Sequence, residues 1–274
     1  IRDRNNVLVI TSINGNQHPG LLNHLNACAK GNYVLLIIGD YKSKFEITNE
    51  FKNAKFVSIE EQLKLDLAVA SKLPANHYAR KNLGYLMAAR MKLKWISETD
   101  DDNLLYPIFW EVQEIDYVAV NSKNSKWINI YKLFGHEEIW HRGIPIHQVE
   151  SSNFSILTEV RNQSEIVCVQ GLANGDPDVD AICRILFKPK VIFETSKSYL
   201  LSKESYSPTN SQMTHWKTER ALPVMYLPST VPWRVCDIWR GLIAQRYFNL
   251  RNFGTQFRGG LGFQERNEHS LLTD

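Results

Sequence analysis

Long apolar runs, basic stretches and closely spaced cysteines are all missing from this chain of 274 residues. Without about 18 consecutive apolar residues no segment can cross a bilayer as a helix, and no charged-then-apolar leader opens the sequence. Lysine and arginine are scattered and the formal net charge is only +3, so the electrostatic footprint of a nucleic-acid partner is missing. Cys28, Cys168, Cys183 and Cys236 sit far apart in apolar stretches without C-x-x-C spacing. That pattern excludes a disulfide frame or a cysteine zinc site and predicts four buried thiols. Internal repeats and low-complexity linkers are also lacking, which leaves a single domain over 1–274. The first residue is Ile rather than Met, which points to a piece of a longer chain.

What is present is enough for a large core, 43% hydrophobic residues, arranged as strand and helix in alternation. The β-branched run Asn6 to Ser12 predicts a strand buried on both faces, and Pro19 to Lys30 a helix with Leu21, Leu22, Leu25 and Ala29 on one side. Tyr33 to Ile38 and Lys55 to Ile59 predict two further strands, and Glu60 to Leu73 a helix. Tyr78 to Met91 reads as a helix that leads into a strand at Leu93 to Ser97. Strands are also predicted at Asp116 to Asn121, within Trp127 to Phe134, at Glu165 to Gly171 and at Val224 to Leu227, and a last helix over Trp233 to Phe248. The result is an α/β fold with a doubly wound, Rossmann-type sheet flanked by helices, in which ligands bind outside the carboxyl ends of the strands.

The densest charge lies at one of those ends, Asp100-Asp101-Asp102-Asn103, directly after the run Trp95 to Thr99. Adjacent carboxylates repel and resist burial, so the pattern asks for a cation, and hard Mn²⁺ or Mg²⁺ bound jointly by one or two carboxylates and substrate phosphates is the simplest. The alternative is a solvated acidic turn. Thr11 and Asn14 follow the first strand and are candidate nucleotide contacts. Asp40 follows the second and either contacts a base or ribose or caps a turn. In Trp140-His141-Arg142-Gly143, Arg142 is a candidate for phosphate or ring stacking, against an ordinary exposed turn. Asp176, Asp178 and Asp180 form a second acidic group at a helix start, where capping explains one Asp but not three. Asp237 interrupts an apolar helix face between Arg234 and Arg240, so it is either a functional carboxylate or the partner of one of these arginines.

These stretches, with Gly39-Asp40-x-Lys42, Lys81-Asn82-Leu83-Gly84-Tyr85-Leu86, Tyr226-Leu227-Pro228-Ser229-Thr230-Val231, Asp237-Ile238-Trp239-Arg240-Gly241 and Gln264-Glu265-Arg266-Asn267-Glu268-His269, resemble in order and over nearly the whole chain the STELLO-type glycosyltransferase domain. That domain is related to the reversibly glycosylated polypeptides that act as UDP-arabinopyranose mutases. The resemblance implies a GT-A-like fold, with 1–120 binding the nucleotide sugar and 121–274, ending in an irregular helical part, completing the acceptor side. It implies a metal-dependent transfer of a sugar, from a UDP-sugar, to a hydroxyl acceptor. Thr11, Asn14, Asp40, Lys81, Asp100, Asp101, Arg142 and Arg240 would face the donor, and Asp100, Asp102 and His269 the Mn²⁺ or Mg²⁺. Asp237, with Asp180 in reserve and Asp178 beside them, would supply the base. A mutase or self-glycosylating protein using Arg142 is the alternative reading, and a non-catalytic scaffold a third. Cys183 and Cys236, and the turn Phe134-Gly135-His136-Glu137, depart from the family pattern and bear on the acceptor. The resemblance leaves the compartment open between the cytoplasm of a bacterial-type homologue and the Golgi lumen of an excised domain.

Overall fold

The structure is a computed structural model that describes residues 6–15, 17–31, 33–43, 45, 51–112, 115–157 and 164–265. Eleven strands among them join in one sheet: β1 (Asn6–Thr11), β2 (Tyr33–Ile38), β3 (Ala54–Val57), β4 (Trp95–Thr99), β5 (Leu104–Leu105), β6 (Val118–Ser122), β7 (Phe154–Ile156), β8 (Glu165–Gly175), β9 (Ser198–Leu201), β10 (Met213–Lys217) and β11 (Phe253–Gln264). The helices are α1 (Pro19–Lys30), α2 (Ile59–Leu63), α3 (Lys81–Arg90), α4 (Ile130–Leu133), α5 (Ala181–Phe187), α6 (Thr218–Ala221) and α7 (Cys236–Arg251). Strand order is β3-β2-β1-β4-β10-β8-β11-β9-β6-β7, with β5 pairing β11 off this path.

Direction along this order decides where a site can form. β3, β2, β1 and β4 run parallel, β10 is antiparallel to both β4 and β8, and β8 is parallel to β11. The carboxyl ends of β1, β2, β4 and β8 therefore share one edge with the start of β10. This is the mixed, helix-flanked, GT-A-like Rossmann-type sheet that the motifs predict.

Alternate residues of β1 supply the two sides of the core, as the pleat requires. Val7 and Val9 pack with Leu36, Ile38 and residues of α3 and α7 on one face, and Leu8 and Ile10 with Leu21 and Leu25 of α1 on the other. Gly84 lets α3 lie close to the sheet, since a Cβ there would come within 2.3 Å of Val9 Cγ1. All four cysteines are buried, and none is joined to another in a disulfide.

Four stretches read from the sequence differ in the structure, and β5, β7, β9 and β11 are strands that the sequence reading did not place. The Glu60 to Leu73 helix stops at Leu63 and gives way to turns. Trp127 to Phe134 holds α4 rather than a strand, because the Asn129 side chain caps a helical turn by accepting from Tyr131 N at 3.3 Å. Val224 to Leu227 is not a strand but follows a 3₁₀ turn, Leu222–Val224, and Pro223 cannot donate to a ladder. The polar stretch Ser205 to Trp216 contains β10 in mid-sheet. Its polar side chains find partners across the strands, Thr214 Oγ1 on Gln170 Oε1 at 3.1 Å and His215 Nδ1 with Ser97 Oγ at 2.7 Å.

A buried ion pair ties α7 to β4. Arg240 Nη2 and Nη1 donate to Glu98 Oε1 and Oε2 at 2.7 and 3.0 Å, and both side chains are fully buried. Trp216 Nε1 donates to Glu98 at 2.7 Å and the Tyr85 hydroxyl donates to its other oxygen. Arg240, a nucleotide candidate on sequence grounds, thus lies in the interior between helix and sheet. Burial opposes its charge, but the Glu98 carboxylate more than offsets this and raises its pKa far above the usual arginine range. Removing one partner strands the other charge in a dry site. Arg240→Met is expected to lose ~3–5 kcal/mol in urea unfolding, with part recovered in the Arg240→Met, Glu98→Gln double variant. A loss in the double variant equal to the sum of the losses in Arg240→Met and Glu98→Gln would show that the pair is not coupled.

Candidate functional site

A cavity of about 450 Å³ opens at the shared strand edge, lined among others by Thr11, Ser12, Asp40, Asn76 and Asp100 to Asp102, with Trp233 on its wall. The loops after β1, β2 and β4 build its floor, so Thr11, Asp40, Asp100, Asp101 and Asp102 meet there as the sequence predicts. Asp40 accepts from Tyr41 N and Asn76 N, both at 2.7 Å, so the carboxylate caps the turn and the cavity wall at once. Asn14 is turned toward Asp101 rather than into the cavity.

Each of the first two aspartates is held by its own set of donors. Ser12 Oγ and Asn14 Nδ2 donate to Asp101 Oδ2 at 2.5 and 2.9 Å. The Tyr78 hydroxyl donates to Asp100 Oδ1, and Lys81 Nζ lies 3.3 Å from the same oxygen. Lys81 also donates to Thr99 O at 2.8 Å and to Tyr78 OH at 2.5 Å. Its three N–H bonds are thereby used inside the protein. Lys81 is fully buried and neutralises Asp100 from behind instead of reaching a ligand, which corrects its assignment as a direct donor contact. Burial raises the pKa of Asp100 despite the Lys81 charge, and burial together with the Asp100 anion keeps the Tyr78 phenol protonated, its pKa well above its ordinary value. Gly20 lets the start of α1 rest against this loop, since a Cβ there would come within 2.2 Å of the Asp101 carbonyl oxygen.

Among the described residues no three His, Cys, Asp or Glu side chains converge as a protein-only metal cage. The donor set is hard oxygen, and it suits a cation that takes one or two carboxylates and leaves its other positions to phosphate and water. Asp102, and the part of Asp100 not engaged by Lys81 and Tyr78, are the residues that would hold it. His269 lies outside the described residues.

A second cavity, of about 310 Å³, is lined by Arg142, Val179, Asp180, Arg234, Ile238 and Trp239, among others. Trp233 borders the first cavity and Arg234 the second, with the Arg234 guanidinium 4.6 Å from the Trp233 ring centroid, so two consecutive residues separate the cavities. A polar relay also links them: Asn210 Nδ2 donates to Asp178 Oδ2 at 2.9 Å, and the neighbouring Ser211 Oγ donates to Tyr78 OH at 2.8 Å.

Arg142 is the anchor of the second cavity. Nε and Nη2 donate to Asp178 Oδ1 and Oδ2, each at 2.9 Å. Nη2 and Nη1 reach Asp237 Oδ2 and Oδ1 at 3.1 and 3.3 Å, and Nη1 also donates to Arg234 O. All five guanidinium N–H bonds therefore have partners. Burial opposes the charge, yet Asp178 and Asp237 raise the pKa of Arg142 well above its ordinary value. The partner of Asp237 is thus Arg142, not Arg240 or Arg234. The adjacent His141 is buried and stacked on Tyr131, so this stretch is no ordinary exposed turn. Its imidazole pKa is lowered by burial, against the pull of Asp178.

The second acidic group divides its work. Asp176 pairs with Arg184 and, at 3.2 Å, with Lys190. Asp178 pairs with Arg142, and Asp180 caps α5 by accepting from Ile182 N at 2.8 Å. Among the described residues no donor is bonded to the other oxygen of Asp180, a residue that lines the second cavity. Sequence reading missed Trp233, Tyr78, Asn76 and Asn210. A tryptophan just after a proline-bounded turn was the available signal for the first, whereas Asn76 and Asn210 sit in turn-rich stretches with no distinguishing pattern.

Behind Asp100, His24 Nε2 lies 3.0 Å from the Asp100 carbonyl oxygen. Burial lowers its pKa from 6.5 to about 4, so the folded protein holds it neutral while the unfolded chain protonates near 6.5. A depressed histidine costs stability as pH falls from 6.5 toward 4 and nothing above that window. The wild-type protein is expected to lose about 2 kcal/mol between pH 6.5 and 5 through this group. In His24→Asn, denaturant titrations at those pH values should show a correspondingly flatter dependence. An unchanged slope would mean His24 is not the titrating group.

No protein-family model matches the chain. Two curated proteins of Arabidopsis thaliana are similar to it, "Probable glycosyltransferase STELLO1", 28% identical over 217 residues, and "Probable glycosyltransferase STELLO2", 28% identical over 215 residues. Each match covers 71% of this chain and spans 28% of the relative's length. Neither match bears on the link to the reversibly glycosylated polypeptides. Over 71% of its length the chain is a homologue of the STELLO-type probable glycosyltransferases.

Proposed function

We propose that this chain is a glycosyltransferase domain that takes a sugar from a nucleotide sugar, a UDP-sugar by the family resemblance, and passes it to a hydroxyl acceptor. The observation that carries the reading is the 450 Å³ cavity at the carboxyl ends of β1, β2 and β4, with three aspartates converging on it. Ligands of open α/β sheets bind at such an edge. Thr11 and Asp40 border the nucleoside side, and Asp100 to Asp102 the diphosphate side. A divalent cation held by Asp102 and Asp100 would supply charge neutralisation for the departing diphosphate. The chain's own residues do the rest: Lys81 and Tyr78 fix Asp100, Ser12 and Asn14 fix Asp101, and Trp233 lines the wall.

In an inverting transfer the acceptor oxygen bonds to the anomeric carbon as the bond to the diphosphate oxygen breaks, and a carboxylate takes the acceptor proton. Asp180 suits that step better than Asp237. Both oxygens of Asp237 and Asp178 already accept from Arg142, whereas Asp180 keeps an oxygen for a ligand. Arg142 itself favours the transferase over the self-glycosylating alternative, because a guanidinium with five bonded N–H groups and a raised pKa is a poor nucleophile.

UDP should raise the melting temperature more with Mn²⁺ than with a chelator, since a ligand of the native state stabilises by mass action. Asp102→Ala should remove the metal-dependent part while retaining the fold. Equal shifts in both conditions count against a metal-assisted donor site. Turnover separates the two carboxylates. Asp180→Asn is expected to lose ~10²–10⁴-fold in kcat with donor binding intact, and Asp237→Asn mainly to lose stability. The opposite pattern would return the base to Asp237.

A further inference from the structure

We infer that the second cavity binds the acceptor, and that the acceptor is an amphiphile: a hydroxyl group on an alkyl or aryl body rather than a free polyhydroxylated sugar. The inference rests on the transferase reading for the word acceptor, but the binding chemistry it specifies stands on the cavity alone.

Apart from Arg142, Asp180, Arg184 and Arg234, the cavity is lined by Gly143, Val179, Ala181, Val235, Ile238, Trp239 and Leu242. Its polar groups offer less than their number suggests. The five N–H bonds of Arg142 are spent on Asp178, Asp237 and a backbone carbonyl. Arg184 donates to Asp176 and to Pro177 O. Arg142 therefore has no N–H left for a ligand, and apolar groups can cover its planar face and stem without losing a hydrogen bond, while Arg234 remains as a charged group of the wall. Asp180 alone among the carboxylates grouped here retains an unbonded oxygen among the described residues, which suits one hydroxyl. A polyhydroxylated ring would leave several hydroxyls facing apolar walls, and unpaired polar groups are costly to bury.

The surroundings continue the same chemistry. The two helices that leave the cavity carry apolar side chains into solvent, Ile182, Ile185 and Leu186 on α5 and Trp239 and Ile243 on α7, each about half exposed or more. Ile182, Ile185 and Leu186 on α5, and Trp239, Leu242 and Ile243 on α7, are each spaced i, i+3, i+4, so each helix carries these apolar side chains on one face. The first cavity contrasts with this, its wall carrying Ser12, Asp40, Lys42, Asn76 and the three aspartates. Two cavities of opposite character, divided by Trp233 and Arg234, match a polar donor and an amphiphilic acceptor.

The test is equilibrium binding of primary n-alkanols of two to eight carbons, each below its solubility limit, with free glucose and cellobiose as polar controls. Affinity is expected to rise by roughly threefold per methylene until the cavity is filled, with no measurable binding of the controls. Trp239→Ser and Leu242→Asn, at positions exposed or partly exposed, should flatten that dependence while leaving the UDP-induced thermal shift unchanged. Affinity independent of chain length, controls that bind as well as the alkanols, or a chain-length dependence that survives both substitutions would overturn the inference. Failure of UDP to bind, with the chain-length dependence intact, would instead remove the transferase reading and leave an amphiphile site.

Discussion

The Glu98–Arg240 pair sets the distance between the two halves of the site. Glu98 precedes Asp100 by two residues on β4, and Arg240 follows Asp237 by one turn of α7. Locking the two side chains together, with Trp216 and Tyr85 satisfying the remaining oxygen capacity of the carboxylate, fixes the start of α7 against the strand that carries the acidic triplet. A buried ion pair of this kind contributes little net stability over an apolar substitute, but its geometry admits few alternatives. Everything built on the amino end of α7, including the Asp237 contact to Arg142 and the Trp233–Arg234 divider, inherits that position.

Around this anchor most charged groups serve the scaffold and few are left for a ligand. Lys81, Arg142, Arg184 and Arg240 are all buried or half-buried and all paired with carboxylates. The pairing keeps loops from four parts of the chain in register: the loop after β4, the stretch around His141, the segment after β8 and the start of α7. It also leaves an asymmetry that has chemical meaning. Asp180 at the second cavity keeps an oxygen that no donor among the described residues takes, whereas Asp176, Asp178 and Asp237 are each paired with an arginine.

Much of the first half was legible. The β-branched runs at Asn6 and Tyr33, the helix bounded by Pro19 and Lys30 and the strand before Asp100 follow from periodicity and turn residues, because β1 and β2 are largely apolar and buried and α1 repeats its apolar residues at helical spacing. The second half was less so. β10 is polar and β11 rich in glycine, so neither shows an apolar run, although both lie in mid-sheet. Their burial is sustained by hydrogen bonds with residues far away in sequence, such as that from Thr214 to Gln170, which no local pattern records.

By itself the sequence determined the α/β class, the order of the first strands, the four buried thiols and the collection of Thr11, Asp40 and the three aspartates at one edge. All of these follow from short-range alternation and from the rule that parallel strands end together. Only the tertiary structure decided which charge meets which. Arg142 rather than Arg240 clamps Asp237, Lys81 faces inward, and Asp180 is left open while Asp176 and Asp178 are taken. Pairing depends on where the side chains of α3, α5 and α7 come to rest against β4 and β8, and electrostatic energy falls off over a few ångströms, so it is fixed by contacts between segments up to 155 residues apart, such as Tyr85 and Arg240.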